Sequence, residues 1–213
     1  MIPTNSAPQI DIPARLRRIN AAVHRTRVTD LARFPVRVIN TPMVRGVHHD
    51  FGGGASPEDL MNDASSLIEN VASLRDHLKK WAKDNGRDPK KVDETIQCSP
   101  DLRVIMDLWE SDKHGGDRRD GGLSKRSPRL ASVDRALRLR TQPKKNSWVT
   151  LQAGLDGRLR SFGDGTATLD TSGTVYDGNG NVIGDLQEFV TRAISAWECL
   201  LVTYEIGRGL SIN

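Results

Sequence analysis

The sequence contains no apolar run that approaches the ~20 residues needed to span a bilayer. Its first nine residues are polar and lack the apolar core of a signal peptide, which favours a cytoplasmic protein. Its two cysteines, Cys98 and Cys199, lie in separate helical patterns, which favours free buried thiols over a disulfide. These absences indicate a soluble protein without a membrane partner. The length of 213 residues favours a single domain over residues 1–213.

Motifs for common cofactors are also missing. The sequence has no Cys-x-x-Cys pair, no phosphate-binding loop, no dinucleotide fingerprint and no Ser, Cys or Thr in a recognised nucleophile context. We therefore expect no cofactor and assign no metal site. Aromatic residues are few (4 Phe, 4 Trp, 2 Tyr) and do not interleave with the basic segments, which argues against a base-stacking surface for single strands.

Positive charge is abundant and unevenly spread. Residues 1–45 hold eight arginines and two aspartates, a net charge of +6. Residues 112–145 hold eleven lysines or arginines and four aspartates, a net charge of +7, whereas the whole chain carries only +4. Two basic blocks on an acidic remainder favour RNA or another polyanion as a partner. The alternative is that they are ordinary solvated faces and loops.

The best-supported element is a long amphipathic helix that begins at Pro57. Ser56 is placed to cap this helix, and Asn85-Gly86 to end it. Apolar residues recur along it at alternating steps of four and three, which places them on one face. The residues of this stripe are Leu60, Ala64, Leu67, Val71, Leu74, Leu78 and Trp81.

Further helices are predicted over 11–34, 88–97, 99–114 and 185–206. The last has a second stripe, which consists of Leu186, Val190, Ala193, Trp197, Leu200 and Tyr204. We expect the two stripes to pack on each other in one helical core. Dimerisation through a coiled coil is the alternative, so a homodimer remains open.

Between the helices the pattern changes. The β-branched residues 36–39 predict a short strand, and 40–55 has the composition of a loop. A basic flexible loop is predicted over about 115–145, with a weak helical pattern at 133–139. Alternating residues and glycine-rich turns over 147–183 predict three or four antiparallel strands. The fold class is therefore α+β: a predominantly helical bundle with a small antiparallel sheet inserted before the C-terminal helix.

An arginine paired with a histidine could grip a phosphodiester and move a proton without a metal. Arg18 and His24 are separated by five residues, and Arg17 and His24 by six; on a helix such spacings would bring an arginine and the histidine to roughly the same side. His114 ends its helix, where Asp107 could orient it as a catalytic group; stabilisation by the helix dipole is the simpler explanation. The residues expected to bind nucleic acid are Arg15, Arg25, Arg118, Arg119, Lys125 and Arg126.

Two other features leave a metal site open. His77 lies beside the stripe of the long helix, where a half-buried, hydrogen-bonded histidine is the simpler interpretation, and a pair with His114 is conceivable. Residues 177–188 place oxygen-bearing side chains at positions 1, 3, 5, 9 and 12 of a calcium loop. Val182 occupies the position of the obligatory glycine, however, so a hairpin turn at Asn179-Gly180 is favoured.

The long helix and the helix after it together resemble a known family. The stretch Leu74-Arg-Asp-His-Leu-Lys-Lys-Trp, followed by Ser99-Pro-Asp-Leu and by Asp107-Leu-Trp-Glu-Ser-Asp-Lys-His, is similar to bacterial HEPN-like helical domains over about residues 57–116. The resemblance implies a helical bundle, often dimeric. Many members are metal-independent ribonucleases of toxin or phage-defence systems, and others are binding modules.

Members that cleave RNA use an Arg-x(4–6)-His motif. The corresponding positions before His114 are Asp107, Leu108 and Trp109, and none of them is arginine. Arg18 with His24 is the pair that fits the motif. The resemblance therefore implies a protein that binds or cleaves RNA, and a non-enzymatic interaction domain with a protein or polyanion partner is the alternative.

Overall fold

The computed structural model describes residues 11–34, 36–43, 45–49, 51, 54–114, 120–154 and 156–206, with the side chains at 24, 25, 36–38, 40, 45–49 and 114 left out. These residues form two compact units. The helical unit takes its described residues from Met1–Val23, Ser65–Ala131 and Thr174–Asn213, and the strand unit from His24–Ala64 and Ser132–Gly173. The predicted organisation as a single domain stays a prediction.

In the described residues, five α-helices and eight strands follow one another along the chain. The helices are α1 (Ile12–Thr26), α2 (Pro57–Asp84), α3 (Lys90–Cys98), α4 (Pro100–His114) and α5 (Leu186–Thr203). The strands are β1 (Arg27–Val28), β2 (Val36–Asn40), β3 (Arg45–His49), β4 (Arg129–Arg140), β5 (Val149–Ala153), β6 (Leu159–Gly163), β7 (Thr166–Tyr176) and β8 (Val182–Asp185). A 3-10 helix covers Leu31–Arg33.

The ends of α2 are set by local hydrogen bonds. At its start the Ser56 hydroxyl accepts the Asp59 N–H at 3.1 Å, and the Asp59 carboxylate accepts the Ser56 N–H at 3.0 Å. At its end Gly86 has a φ of +65°, and the Arg87 N–H reaches back to the Ala82 carbonyl at 2.7 Å. A reciprocal cap and a left-handed glycine satisfy the terminal backbone groups, as the sequence predicts.

The core of the helical unit is built from the two predicted stripes. The α2 residues from Leu67 to Leu78 on the stripe are buried, as is the α5 stripe. The indole N–H of Trp197 on α5 donates to the Val71 carbonyl of α2 at 3.1 Å, and the Tyr204 ring lies 5.8 Å from that of Trp81. Helix α5 also packs on α3 and α4. The expected packing of the two stripes on each other is confirmed.

The strand unit has its own apolar core. Val28, Phe34, Leu159 and Leu169 are buried together in it, with Leu151 packed against them. Strand β7 pairs antiparallel with β1 and is also hydrogen-bonded to β4. Strands β2 with β3, and β5 with β6, form separate two-stranded antiparallel sheets. The C-terminal end of β7, which belongs to the helical unit, pairs antiparallel with β8.

A buried carboxylate lies within the strand unit. Asp170 on β7 is fully buried, and its two oxygens lie 3.3 Å from Nε of Arg27 and 3.4 Å from Nε of Arg138. Because a buried carboxylate requires compensating positive charge, the two arginines make this position possible. Arg27 and Arg138 belong to the two basic blocks of the sequence, so part of that charge has a structural use.

Three assignments of local structure were wrong. Helix α1 ends at Thr26, because Arg27–Val28 pairs with β7; it does not continue to Phe34. Residues 45–49 are strand β3, paired with β2, where a loop over 40–55 was expected. Residues 129–140 are strand β4, which replaces both the helical pattern at 133–139 and much of the flexible loop over 115–145.

The α+β fold class is confirmed, and its β part is larger than the sequence predicts. Residues 166–169 and 174–176 belong to one long strand, β7, and the pairings extend beyond residues 147–183 to β1, β2, β3 and β4. The cysteines are free, as expected, but Cys98 and Cys199 are exposed and not buried. Both lie on helix faces that the apolar stripes do not occupy.

Candidate functional site

In the helical unit, the positive charges of two arginines of α1 act on a histidine of α2. Helix α1 begins at a cap in which the Asp11 carboxylate accepts the Ala14 N–H at 2.9 Å. Ile12, Leu16 and Ile19 are buried, which fixes the rotation of the helix about its axis. Arg15 and Arg18 lie one turn apart outside this stripe, half-buried and exposed respectively.

His77 lies on α2 between the buried Leu74 and Leu78 and is itself half-buried. Burial lowers the pKa of His77, and the nearby positive charges of Arg15 and Arg18 lower it further, while Asp76 raises it. The net direction is downward, because both desolvation and like charge disfavour the imidazolium form. The lowered pKa favours the neutral imidazole of His77, which is the form that can accept a proton.

The two arginines are available to an anion. Neither Arg15 nor Arg18 has an ion-pair partner among the residues that the structure describes, whereas Arg17 lies 3.6 Å from the Asp11 carboxylate. Two unpaired guanidinium groups beside a neutral imidazole could bind a phosphate group through charge-assisted hydrogen bonds. This cluster, defined by Arg15, Arg18 and His77, is the candidate functional site.

Only one of the three predicted catalytic residues, Arg18, His24 and His114, belongs to this cluster. Arg18 belongs to the cluster, whereas the side chains of His24 and His114 lie outside the described part of the chain. Both histidines are helical, in α1 and at the last position of α4. The expectation that His24 shares a side of the helix with Arg18 or Arg17 therefore stays a prediction.

Asp107, expected to orient His114, has another role. It is buried, at 4% exposure, and its two carboxylate oxygens accept the backbone N–H groups of Leu123 and Ser124 at 2.7 Å each. The backbone of Gly122 packs so tightly on this carboxylate that a Cβ there would clash with it. Asp107 therefore anchors the segment after α4 to that helix.

The residues predicted to bind nucleic acid have mixed outcomes. Lys125 and Arg126 are exposed in the segment that Asp107 anchors, and Lys125 Nζ lies 4.0 Å from the Asp120 carboxylate. The Arg126 carbonyl accepts the Gly178 N–H at 2.7 Å, so its backbone is fixed. Arg15 belongs to the cluster with His77. Arg118 and Arg119, and the side chain of Arg25, lie outside the described residues.

The calcium-like stretch is a hairpin turn between β7 and β8, which confirms the favoured interpretation. The Asp177 carboxylate accepts the N–H groups of Asn179 and Asn181 at 2.9 and 2.8 Å, and the Asn181 side-chain amide at 3.0 Å. These hydrogen bonds, that from the Asn181 side chain first, lower the pKa of Asp177. Across the described residues, no three His, Cys, Asp or Glu side chains are grouped so that they could hold a metal ion.

Sequence reasoning missed two further features. The approach of Arg15 and Arg18 to His77 joins residues about sixty positions apart, and the available signal was the one-turn spacing of the arginines outside the stripe. Trp148 and Phe162 are 54% and 45% exposed, next to basic residues of the strand unit. The signal for them was the position of Trp148 three residues after Lys145.

No protein-family model, curated protein or solved structure matches this chain. Among the described helices, none combines the length and the hydropathy that crossing a membrane requires. The assignment of function therefore depends on the geometry and charge of the residues described above.

Proposed function

We propose that the protein binds RNA and cleaves it without a metal, at the cluster of Arg15, Arg18 and His77. The observation that carries the proposal is that the positive charges of two arginines, without ion-pair partners in the described part of the chain, lower the pKa of a half-buried histidine. Guanidinium groups hold phosphate oxygens with directional hydrogen bonds, and imidazole is the side chain that most often transfers protons in catalysis. The resemblance to HEPN-like domains supports the same class of substrate.

In the proposed reaction, His77 accepts the proton of a ribose 2′-hydroxyl while the 2′-oxygen attacks the adjacent phosphorus. The bond from phosphorus to the 5′-oxygen breaks, and the imidazolium returns the proton to that oxygen. The products are a 2′,3′-cyclic phosphate and a 5′-hydroxyl. Arg15 and Arg18 stabilise the negative charge that develops on the non-bridging oxygens. The lowered pKa of His77 favours the neutral form needed for the first step.

The proposal is tested by incubating an end-labelled single-stranded RNA with the protein in EDTA. We expect His77→Gln to slow cleavage at least ~100-fold, because a general base typically contributes that much. The Arg15→Gln/Arg18→Gln double variant should weaken both binding and cleavage. Arg17→Gln is the matched control, since Arg17 is an exposed arginine of the same helix that lies near Asp11 instead.

Two further readouts separate the proposed chemistry from contamination and from other sites. The 5′ fragment should end in a 2′,3′-cyclic phosphate, and an RNA with 2′-deoxyribose at the cut position should resist cleavage. His24→Ala and His114→Ala test the histidines that the sequence favoured. Wild-type protein that leaves RNA intact would exclude the ribonuclease, and a His77→Gln variant that cleaves at the wild-type rate would exclude His77 as its general base.

A non-enzymatic RNA-binding protein is the second candidate, favoured by the exposed Lys125 and Arg126 on their anchored segment. Binding of RNA by all variants without cleavage would support it. Its salt dependence would distinguish a polyanion from a protein partner, because phosphate contacts weaken steeply as salt rises. Cytoplasmic location and homodimer formation belong to the same proposal and stay predictions.

A further inference from the structure

One face of the hairpin formed by β5 and β6 packs against the apolar core of the strand unit. Its register pairs Thr150 with Phe162 and Leu151 with Ser161. Val149, Leu151 and Leu159 pack into the apolar core of the unit. Since successive residues of a strand point to opposite faces, Phe162 is directed away from that core. Its exposure of 45% agrees with this placement.

Trp148 lies at the same end of the hairpin. A Cβ atom on Gly163 would lie 3.0 Å from Cε3 of the indole, so the ring rests against the backbone of the residue next to Phe162. The Trp148 carbonyl also accepts the Gly165 N–H at 3.1 Å, which fixes the chain at this point. The indole is 54% exposed. Two large aromatic side chains, Trp148 and Phe162, are therefore exposed near the same end of this hairpin.

The other tryptophans are placed differently. Trp197 is buried, and Trp81 and Trp109 are half-buried and in contact with Tyr204 and Lys113. Because the rings of Trp148 and Phe162 are exposed, the protein does not gain the hydrophobic stabilisation that their burial would give. Such a patch commonly marks an interaction surface.

The charge around the two rings is positive. Residues 140–165 contain five lysines or arginines and two aspartates, a net charge of +3. Both aspartates form ion pairs within this segment. Asp156 pairs with Arg160 at 2.7 Å, and Asp164 pairs with Lys144 at 2.7 Å. Arg140 and Lys145 are exposed and have no ion-pair partner among the described residues. Exposed aromatic rings and unpaired cations from the same stretch of the chain fit a partner that offers both flat rings and negative charge.

We propose that this surface, defined by Trp148, Phe162, Arg140 and Lys145, binds single-stranded nucleic acid. The sequence alone argues against such a surface, because its aromatic residues do not interleave with the basic segments, but the pairing of β5 with β6 brings two exposed rings to one end of the hairpin. Bases stack on the two aromatic rings, and the cations hold the phosphate backbone. Base–aromatic stacking tolerates any sequence because every base has a π-face, whereas the bases of a duplex are already stacked on one another. The surface lies in the strand unit and does not depend on the cluster of Arg15, Arg18 and His77.

The test is the binding of a fluorescein-labelled dT12 oligonucleotide, measured by anisotropy. DNA is used because it lacks the 2′-hydroxyl that the proposed cleavage needs. We expect Trp148→Ala and Phe162→Ala each to weaken binding about tenfold, as removal of one stacking ring typically does. Val202→Ala is the control, since Val202 is an exposed apolar residue of the helical unit, at 76% exposure. Arg15→Gln/Arg18→Gln should retain binding of dT12 to this surface.

A second measurement reports on the rings directly. Unlabelled dT12 should quench tryptophan emission of wild-type protein and quench Trp148→Phe much less, while duplex DNA of the same length quenches neither. Equal affinities of wild type, Trp148→Ala and Phe162→Ala would overturn the proposal. It would also be overturned if these substitutions abolished self-association at high protein concentration and left dT12 binding unchanged, since a second copy of the chain would then cover the surface.

Discussion

The indole N–H of Trp197 donates to the backbone carbonyl of Val71 at 3.1 Å, and both residues are buried. Val71 is in the middle of α2 and Trp197 in the middle of α5, 126 positions later. One side chain thus ties the two amphipathic helices together by a polar bond inside an apolar interior. A buried N–H group without an acceptor destabilises the folded state, so this hydrogen bond determines the orientation of the indole ring.

Trp197→Phe should lower the free energy of unfolding by about 1–3 kcal/mol, because Phe keeps an aromatic ring but loses the N–H donor and leaves part of the indole volume empty. Val202→Ala on the same helix should have little effect, since Val202 is largely exposed. Urea unfolding followed by far-UV circular dichroism measures both. An unchanged midpoint for Trp197→Phe would show that neither the bond nor the volume contributes.

Asp107→Asn should loosen the segment after α4. The substitution replaces one carboxylate oxygen by an amide NH₂ that faces a backbone N–H, so either Leu123 or Ser124 loses its acceptor, at a cost of about 1–3 kcal/mol. Hydrogen exchange of these two amides should accelerate. Asp112→Asn is the matched control, because Asp112 is exposed on the same helix. Unchanged exchange in Asp107→Asn would contradict the anchoring role.

Asp170→Ala should destabilise the protein by about 3–5 kcal/mol, because it leaves the partly buried Arg27 and Arg138 without their shared counter-charge. Thermal unfolding provides the measurement. Asp156→Ala, which breaks the exposed pair with Arg160, should shift the melting temperature far less. Similar shifts for the two variants would mean that Asp170 is not the centre of the strand unit's ion pairs.

His77 predicts a specific pH dependence of stability. Its pKa is lowered from the ordinary value of 6.5 in the folded protein, so the unfolded chain binds this proton more readily. The contribution to stability is therefore retained above pH 6.5 and lost as the pH falls below it. Removing the titrating group in His77→Gln should flatten this part of the pH profile.

The causes of that shift can be separated by NMR titration of the His77 imidazole. Arg15→Gln should raise the pKa of His77 because it removes a nearby positive charge, whereas Asp76→Asn should lower it further because it removes a negative one. The two variants thus serve as controls of opposite sign. Identical titration curves for Arg15→Gln and wild type would place Arg15 too far from His77 for the proposed site.

The elements predicted correctly are those whose signals are local. Ser56 and Gly86 bracket α2 within the sequence itself, and the burial of Leu74 follows from its spacing along the helix. Strand β4 was missed because its alternating arginines and leucines also fit a weak helical period, and its pairing with β7 is non-local. Strand β3 was missed because glycine and two histidines conceal its β character.

The candidate site was only half predictable. Arg15 and Arg18 were identified from the density of arginine on α1, and His77 from its position beside a stripe. The electrostatic effect of Arg15 and Arg18 on His77 depends on tertiary structure, which single-sequence patterns do not contain. Asp107 shows the same limit, since its hydrogen-bond partners Leu123 and Ser124 come from a glycine-rich segment that carries no signal for them.

Gly163 has a φ of +108°, and a Cβ atom there would clash with the carbonyl oxygen of Trp148 and also lie 3.0 Å from its indole ring. Any side chain there would strain the backbone and displace the chain at Trp148. If Trp148 and Phe162 bind oligonucleotides, the backbone at position 163 must be kept as it is. A library randomised at position 163 and sorted for oligonucleotide binding should then yield almost only glycine. Position 150, which is opposite Phe162, would meanwhile accept many residues, so positions 150 and 163 would differ sharply in tolerance although they lie near the same end of the hairpin.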